Sequence, residues 1–153
     1  MSIWFKPYTL ESVQQRGRNT MVEHIGIQIT ELGGDYLRGI MPVDQRTVQP
    51  MGILHGGASI ALAETLGSIA ANLVIDPEKY YCVGLDINGN HIRAAKGGWV
   101  TGTALPVHIG SSTQVWTIEI RDEKSAWYVS AALPWQYCNK KVTNNRERVN
   151  LLL

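Results

Sequence analysis

Apolar residues in this chain recur with two different spacings, and the change falls near residue 57. Residues 24–43, HIGIQITELGGDYLRGIMPV, have two β-rich arms on either side of Gly33-Gly34-Asp35, the pattern of an antiparallel hairpin. Before it, residues 9–16 predict a short helix with Thr9 as its N-cap. Residues 44–54 read as a loop broken by Pro50 and Gly52. Residues 57–74 then predict one long helix, stopped by Asp76-Pro77 because the residue before proline disfavours helical dihedrals. Strand-like runs follow at 81–92, 98–107, 114–121 and 126–136, with a turn at 122–125. A hairpin, one helix and consecutive strands predict an α+β architecture, a mostly antiparallel sheet with a helix against it.

The helix is unusual in one respect. Apolar side chains point in nearly every direction around it, so burial on most sides is expected. Glu64, Ser68 and Asn72 are exceptions, and their i, i+4, i+8 spacing puts them on one stripe. A carboxylate in such a setting is costly unless something uses or satisfies it. Burial would raise its pKa and suit it to act as a base or nucleophile. The plain alternative is a glutamate that is ion-paired or faces solvent. Just ahead stands His55-Gly56-Gly57, where the first N–H groups of the helix have no internal partners. Free N–H groups at the positive end of a helix dipole can stabilise an oxyanion. Glu64 lies about 12 Å further along the axis at 1.5 Å per residue. One small reacting centre cannot touch both ends of that span, so joint action requires two chains.

Composition narrows the field. At 153 residues the chain has the length of one domain, and its net charge of +1 provides no global attraction for nucleic acid or an anionic membrane. Cys82 and Cys138 form no CxxC pair, which points to reduced thiols and a cytoplasmic setting. No signal peptide and no membrane-spanning run is expected. The spacing of His55, His91 and His108 matches no metal motif, and neither a metal nor a cofactor is expected. The expected division is a domain over 1–138 and a polar tail over 139–153. Pro134 lies inside the last strand-like run and predicts an edge strand, a bulge or a strand cut short there.

Several segments taken together resemble the hotdog-fold acyl-CoA thioesterases. They are Gln49-Pro50, His55-Gly56-Gly57, Ala63-Glu64-Thr65 and Gly67-Ser68, followed by VGLDINGNHIR and LPVHIGSSTQVWTIEIRDE. The branch is that of the glutamate-type 4-hydroxybenzoyl-CoA thioesterases and the 1,4-dihydroxy-2-naphthoyl-CoA hydrolases, and the likeness spans about residues 3–125. It implies a long helix wrapped by an antiparallel sheet, dimers that share active sites, and pairs of such dimers. It also implies roles. Glu64 would attack the thioester or activate water, and the Gly56 N–H would hold the carbonyl oxygen with His55 in support. Gln49 would meet the carbonyl or the water. Ser68 would place the water or a ring substituent. Coenzyme A would run past Val83 and Gly84, with His91 and Arg93 at its phosphates and His108, Ile109, Gly110, Ser111 and Ser112 at its nucleotide end.

Simpler readings exist for several of these residues. His55 also reads as a helix cap, Ser68 as a small packing residue and His91 as an ordinary strand histidine. Arg93 and Lys96 also read as a solvated face, and the five tryptophans as core or interface. The expected activity is hydrolysis of an aryl- or medium-chain acyl-CoA by a homo-oligomer. Rival readings are a hotdog dehydratase, a non-catalytic acyl-CoA-binding module, and a proofreading thioesterase acting on an acyl carrier protein.

Overall fold

The computed structural model describes residues 2–123 and, as backbone alone, 127–140. The elements in order are α1 (Leu10–Gln14), a 3-10 turn (Gln15–Gly17), α2 (Met21–His24), β1 (Gln28–Leu32), β2 (Leu37–Pro42), α3 (Gly56–Leu73), β3 (Tyr80–His91), β4 (Trp99–Ile109), β5 (Thr113–Asp122) and β6 (Trp127–Lys140). The expected hairpin is β1–β2, closed where the Gly33 N–H donates to Tyr36 O at 2.9 Å. Thr9 caps α1 as expected, accepting from the Ser12 N–H. The helix α2 is an addition. Four residues are too few to show a period, but Thr20 caps it and Glu23 reaches back to the Asn19 N–H at 2.7 Å.

The six strands form one antiparallel sheet in the order β1-β2-β4-β5-β6-β3. The single long helix α3 lies against it, which is the hotdog arrangement. Seating α3 requires a flat place on the sheet. Gly39 of β2 and Gly102 of β4 are direct register partners, and Leu66 sits over both. A Cβ on Gly102 would lie 2.5 Å from Leu66 Cδ1, and one on Gly39 would lie 2.9 Å from Leu66 Cδ2. Leu62, Leu66, Ala70 and Leu73 of the helix meet Met41, Val100, Trp116, Ile118 and Ile120 of the sheet in the core. The N-terminal segment closes one end: the Phe5 N–H donates to Leu73 O, and Trp4 Nε1 donates to Gly33 O at 2.6 Å and stacks on Trp116.

The strand carrying Pro134 is neither short nor at an edge, because β6 lies between β5 and β3. Of the three expectations for this proline, the bulge is the one observed. Register slips by one residue on both sides, between Gln114/Trp116 of β5 and between Asp86/Asn88 of β3. A bulge leaves one residue outside the ladder, where a missing N–H costs little. The backbone of Asn139 and Lys140 continues β6, and the rest of the expected tail lies outside the described residues. Cys82 and Cys138, far apart in sequence, are Cα partners across β3 and β6, and Cys82 is buried. Among the described residues no helix is long and apolar enough to cross a membrane.

Candidate active site

The loop before α3 is built by its own side chains. Thr47, 2% exposed, donates from Oγ1 to Pro42 O at 2.6 Å and accepts from the Asp44 N–H. The Arg46 guanidinium grips the Asp44 carboxylate, whose pKa it lowers to about 2, with the Arg46 backbone N–H adding to the effect. Gln49 turns its Oε1 onto the Met51 N–H at 2.7 Å, and its backbone pairs with Ile53 and Gly52. The His55 N–H then donates to Thr47 O, which fixes the start of α3.

His55 is the N-cap. Its Nδ1 accepts from the Gly57 N–H at 2.8 Å, so the neutral ring carries its proton on Nε2. Ala58 and Ser59 direct their N–H groups to His55 O. Among the described residues, the Gly56 N–H has no acceptor. Gly56 helps to line a pocket of about 430 Å³, together with Gln49, Leu54, Ser59, His91 and Arg93 among others. The His91 ring lies directly over Gly56, where a Cβ would come within 3.0 Å of Nε2. A side chain at residue 56 would therefore press on the imidazole.

Glu64 lies two turns down the same helix, in a different setting. The carboxylate is partly buried and accepts from Ser68 Oγ at 2.8 Å. It rests on the backbone of β3: a Cβ on Gly84 would fall 2.3 Å from Glu64 Oε1. The predicted stripe is present. Asn72 continues it, donating from Nδ2 to Ser68 O at 2.9 Å.

The expected site residues thus fall into three groups in one chain. Gln49, Gly56, His91 and Arg93 line one pocket, with His55 capping the helix at its rim. Glu64, Ser68 and Gly84 form a second cluster, bordered by Val83, which is 45% exposed. His108 and Ile109 end β4, and Gly110, Ser111 and Ser112 make the turn into β5; the Gly110 N–H donates to Thr113 O, and the His108 ring lies 2.7 Å from where a Gly110 Cβ would be. None of this third group lines the pocket beside Gly56. Two residues of interest carried little signal in the sequence. Ser59, buried and pocket-lining, is marked only by its i+4 spacing from His55. Asn72 is marked only by the stripe. Among the described residues no cluster of three or more His, Cys, Asp or Glu side chains is arranged to hold a metal ion.

Comparison with known proteins bears on the family and the fold. Residues 51–126 match the thioesterase superfamily. The chain is 47% identical over 131 residues to the 1,4-dihydroxy-2-naphthoyl-CoA hydrolase of Escherichia coli, covering 86% of this chain and 96% of that one. It is 49% identical over 122 residues to the proofreading thioesterase EntH of Cronobacter sakazakii, covering 80% and 88%. A thioesterase crystal structure from Haemophilus influenzae superposes with a TM-score of 0.89 at 42% identity, over 94% of this chain and 99% of that one.

Proposed function

The chain belongs to the thioesterase superfamily and is a thioester hydrolase, and from that premise we propose that it cleaves aryl- or medium-chain acyl-CoA to the free acid and CoA. The substrate class follows the relative named 1,4-dihydroxy-2-naphthoyl-CoA hydrolase. Glu64 is the reacting carboxylate in this reading. It either attacks the thioester carbon or takes a proton from the water that does. Negative charge then develops on the carbonyl oxygen, and the Gly56 N–H meets it at the positive end of α3. Gln49 orients the carbonyl or the water, His55 holds the loop that presents Gly56, and Ser68 holds the carboxylate and places the water. The tetrahedral centre collapses and expels the CoA thiolate, which gains a proton as the thiol. Water attack gives the free acid at once, whereas attack by Glu64 leaves an acyl–glutamyl anhydride that a water molecule then hydrolyses to the free acid and the regenerated carboxylate.

The observation that carries this reading is the distance along α3. Gly56 and Glu64 are eight residues apart on one continuous helix, about 12 Å at 1.5 Å per residue. One carbonyl cannot contact both in a single chain. A homodimer resolves this if Gly56 of one protomer faces Glu64 of the other. The edge position of β3 supports such pairing, as do its exposed Val83 and Leu85 and the exposed Ile92 just beyond it. Two such dimers form the tetramer in this reading. Coenzyme A contacts Val83, Gly84, His91 and Arg93 and reaches the turn from His108 to Ser112. The enzyme works in the cytoplasm and requires no cofactor.

A carrier-protein substrate is the second reading, favoured by the relative named a proofreading thioesterase. Thiol release from benzoyl-, naphthoyl- and straight-chain acyl-CoAs, beside the same acyl groups on a carrier protein, separates the two. Glu64→Gln should lose at least ~100-fold in kcat while still binding acyl-CoA. Wild-type turnover by that variant would remove Glu64 from the mechanism.

A further inference from the structure

Asn72 occupies the last position of the polar stripe, and the reaction as described gives it no part. Its amide nevertheless makes three hydrogen bonds that join two elements. Oδ1 accepts from the Cys82 N–H at 2.9 Å, and Nδ2 donates to Cys82 O at 3.0 Å and to Ser68 O at 2.9 Å. The side chain thus pairs with both backbone groups of one strand residue, as a neighbouring strand would. It does so on β3, an edge strand whose only neighbour in the sheet among the described residues is β6. The N–H and C=O of one strand residue point the same way, so Asn72 ties the open side of β3 to α3 at Cys82.

Gly84, on which the Glu64 carboxylate rests, lies two residues beyond that tie. Ser68, whose carbonyl Asn72 engages, donates its hydroxyl to the same carboxylate at 2.8 Å. Both surfaces that confine Glu64 are therefore fixed, directly or one step removed, by one amide. We propose that Asn72 is a positioning residue for Glu64. It holds β3 against α3 so that the carboxylate stays clamped between Ser68 Oγ and the Gly84 backbone. This inference rests on the reading of Glu64 as the reacting group.

Without the tie, the start of β3 is released from the helix and the carboxylate gains rotamers that do not face the thioester. Such a loss lowers kcat more than KM, because of the groups assigned to CoA only Val83 and Gly84 lie beside the tie, while His91, Arg93 and the β4–β5 turn lie away from it. A purely structural role would lower thermal stability and leave turnover per folded site unchanged.

The test is a double-mutant cycle on the full chain, with kcat and KM for benzoyl-CoA normalised to folded protein by thermal melts. Asn72→Ala should lower kcat about tenfold with KM within about twofold. In the Glu64→Gln background the same change should alter the residual rate by less than about twofold, since nothing is left to position. Asn72→Asp has nearly the same size but cannot donate to Ser68 O or Cys82 O, so it should fall at least as far as alanine. It also carries the cycle if the alanine variant does not fold. Unchanged kcat in both Asn72 variants overturns the proposal, as does an equal fall with and without Glu64. If Glu64→Gln alone keeps the wild-type rate, the reading of Glu64 fails and the inference about Asn72 falls with it.

Discussion

Replacing Gly84 with alanine would place a methyl carbon 2.3 Å from Glu64 Oε1 and 3.1 Å from its Cδ. Real Cβ atoms keep at least 3.0 Å from their neighbours, so the carboxylate must withdraw by roughly 0.7 Å or more. The oxygen is the far end of a flexible side chain on a partly exposed stripe, and moving it costs the fold little. Catalysis is less tolerant. A displacement near 1 Å in a reacting group costs about 100-fold in rate, or about 2.7 kcal/mol of transition-state stabilisation. Gly84→Ala should therefore melt within a few degrees of wild type and lose about two orders of magnitude in kcat with acyl-CoA. Gly97→Ala is the control, since a Cβ there meets nothing within 4 Å, and it should be neutral. Should Gly84→Ala turn over at the wild-type rate, the contact between Glu64 and β3 has no catalytic meaning. A rise in KM with kcat preserved would mean instead that the methyl blocks the bound substrate.

The remaining predictions concern the frame around the site. Gly102→Ala drives a methyl into Leu66, a fully buried side chain 2.5 Å away. It should cost about 1–3 kcal/mol, a fall in Tm of roughly 3–10 °C, with turnover per folded molecule retained; an unchanged melt would contradict the packing described. Asp44 has its pKa lowered to about 2 by Arg46. Because the folded value lies below the ordinary one of about 4, its contribution to stability is complete above that pH and is lost as pH falls towards 2. Thermal melts of Asp44→Asn should therefore fall below wild type at pH 7, and the gap should close by about pH 2. A gap independent of pH would refute the ion pair as its source.

The sequence made the helix legible because α3 must be apolar on several faces to be wrapped by a sheet, and that leaves a conspicuous stripe. Glu64 and Ser68 could be picked from the stripe, and the Gly56 N–H from the rule that the first turn of a helix has spare donors. Their grouping could not be read so directly. The strand order places β6 between β5 and β3, a long-range pairing that no local pattern encodes. It makes partners of Cys82 and Cys138 and brings Pro134 inside the sheet, where a bulge accommodates it. His91 was legible as a strand residue beside Arg93, and the fold adds that its ring covers Gly56. Asn72 was visible only as a member of the stripe, because its partners are backbone groups of Cys82, which carry no residue signature.

The central claim is that Gly56 of one protomer and Glu64 of another complete one thioester-cleaving site. Mixing two inactive variants tests it most directly. Glu64→Gln removes the carboxylate. Gly56→Pro removes the N–H at the first helical position, which proline suits, after a His55 whose ψ of 132° already fits a following proline; its ring also presses on His91 of the same chain, which damages the same half of the site. Each homo-oligomer should be inactive against acyl-CoA. After the two are unfolded together and refolded, half the dimers are mixed, and each mixed dimer has one intact site and one doubly damaged site. Recovery of about a quarter of wild-type activity is expected. No recovery, with mixed dimers shown to form, would mean that each chain carries its own site and would contradict the claim.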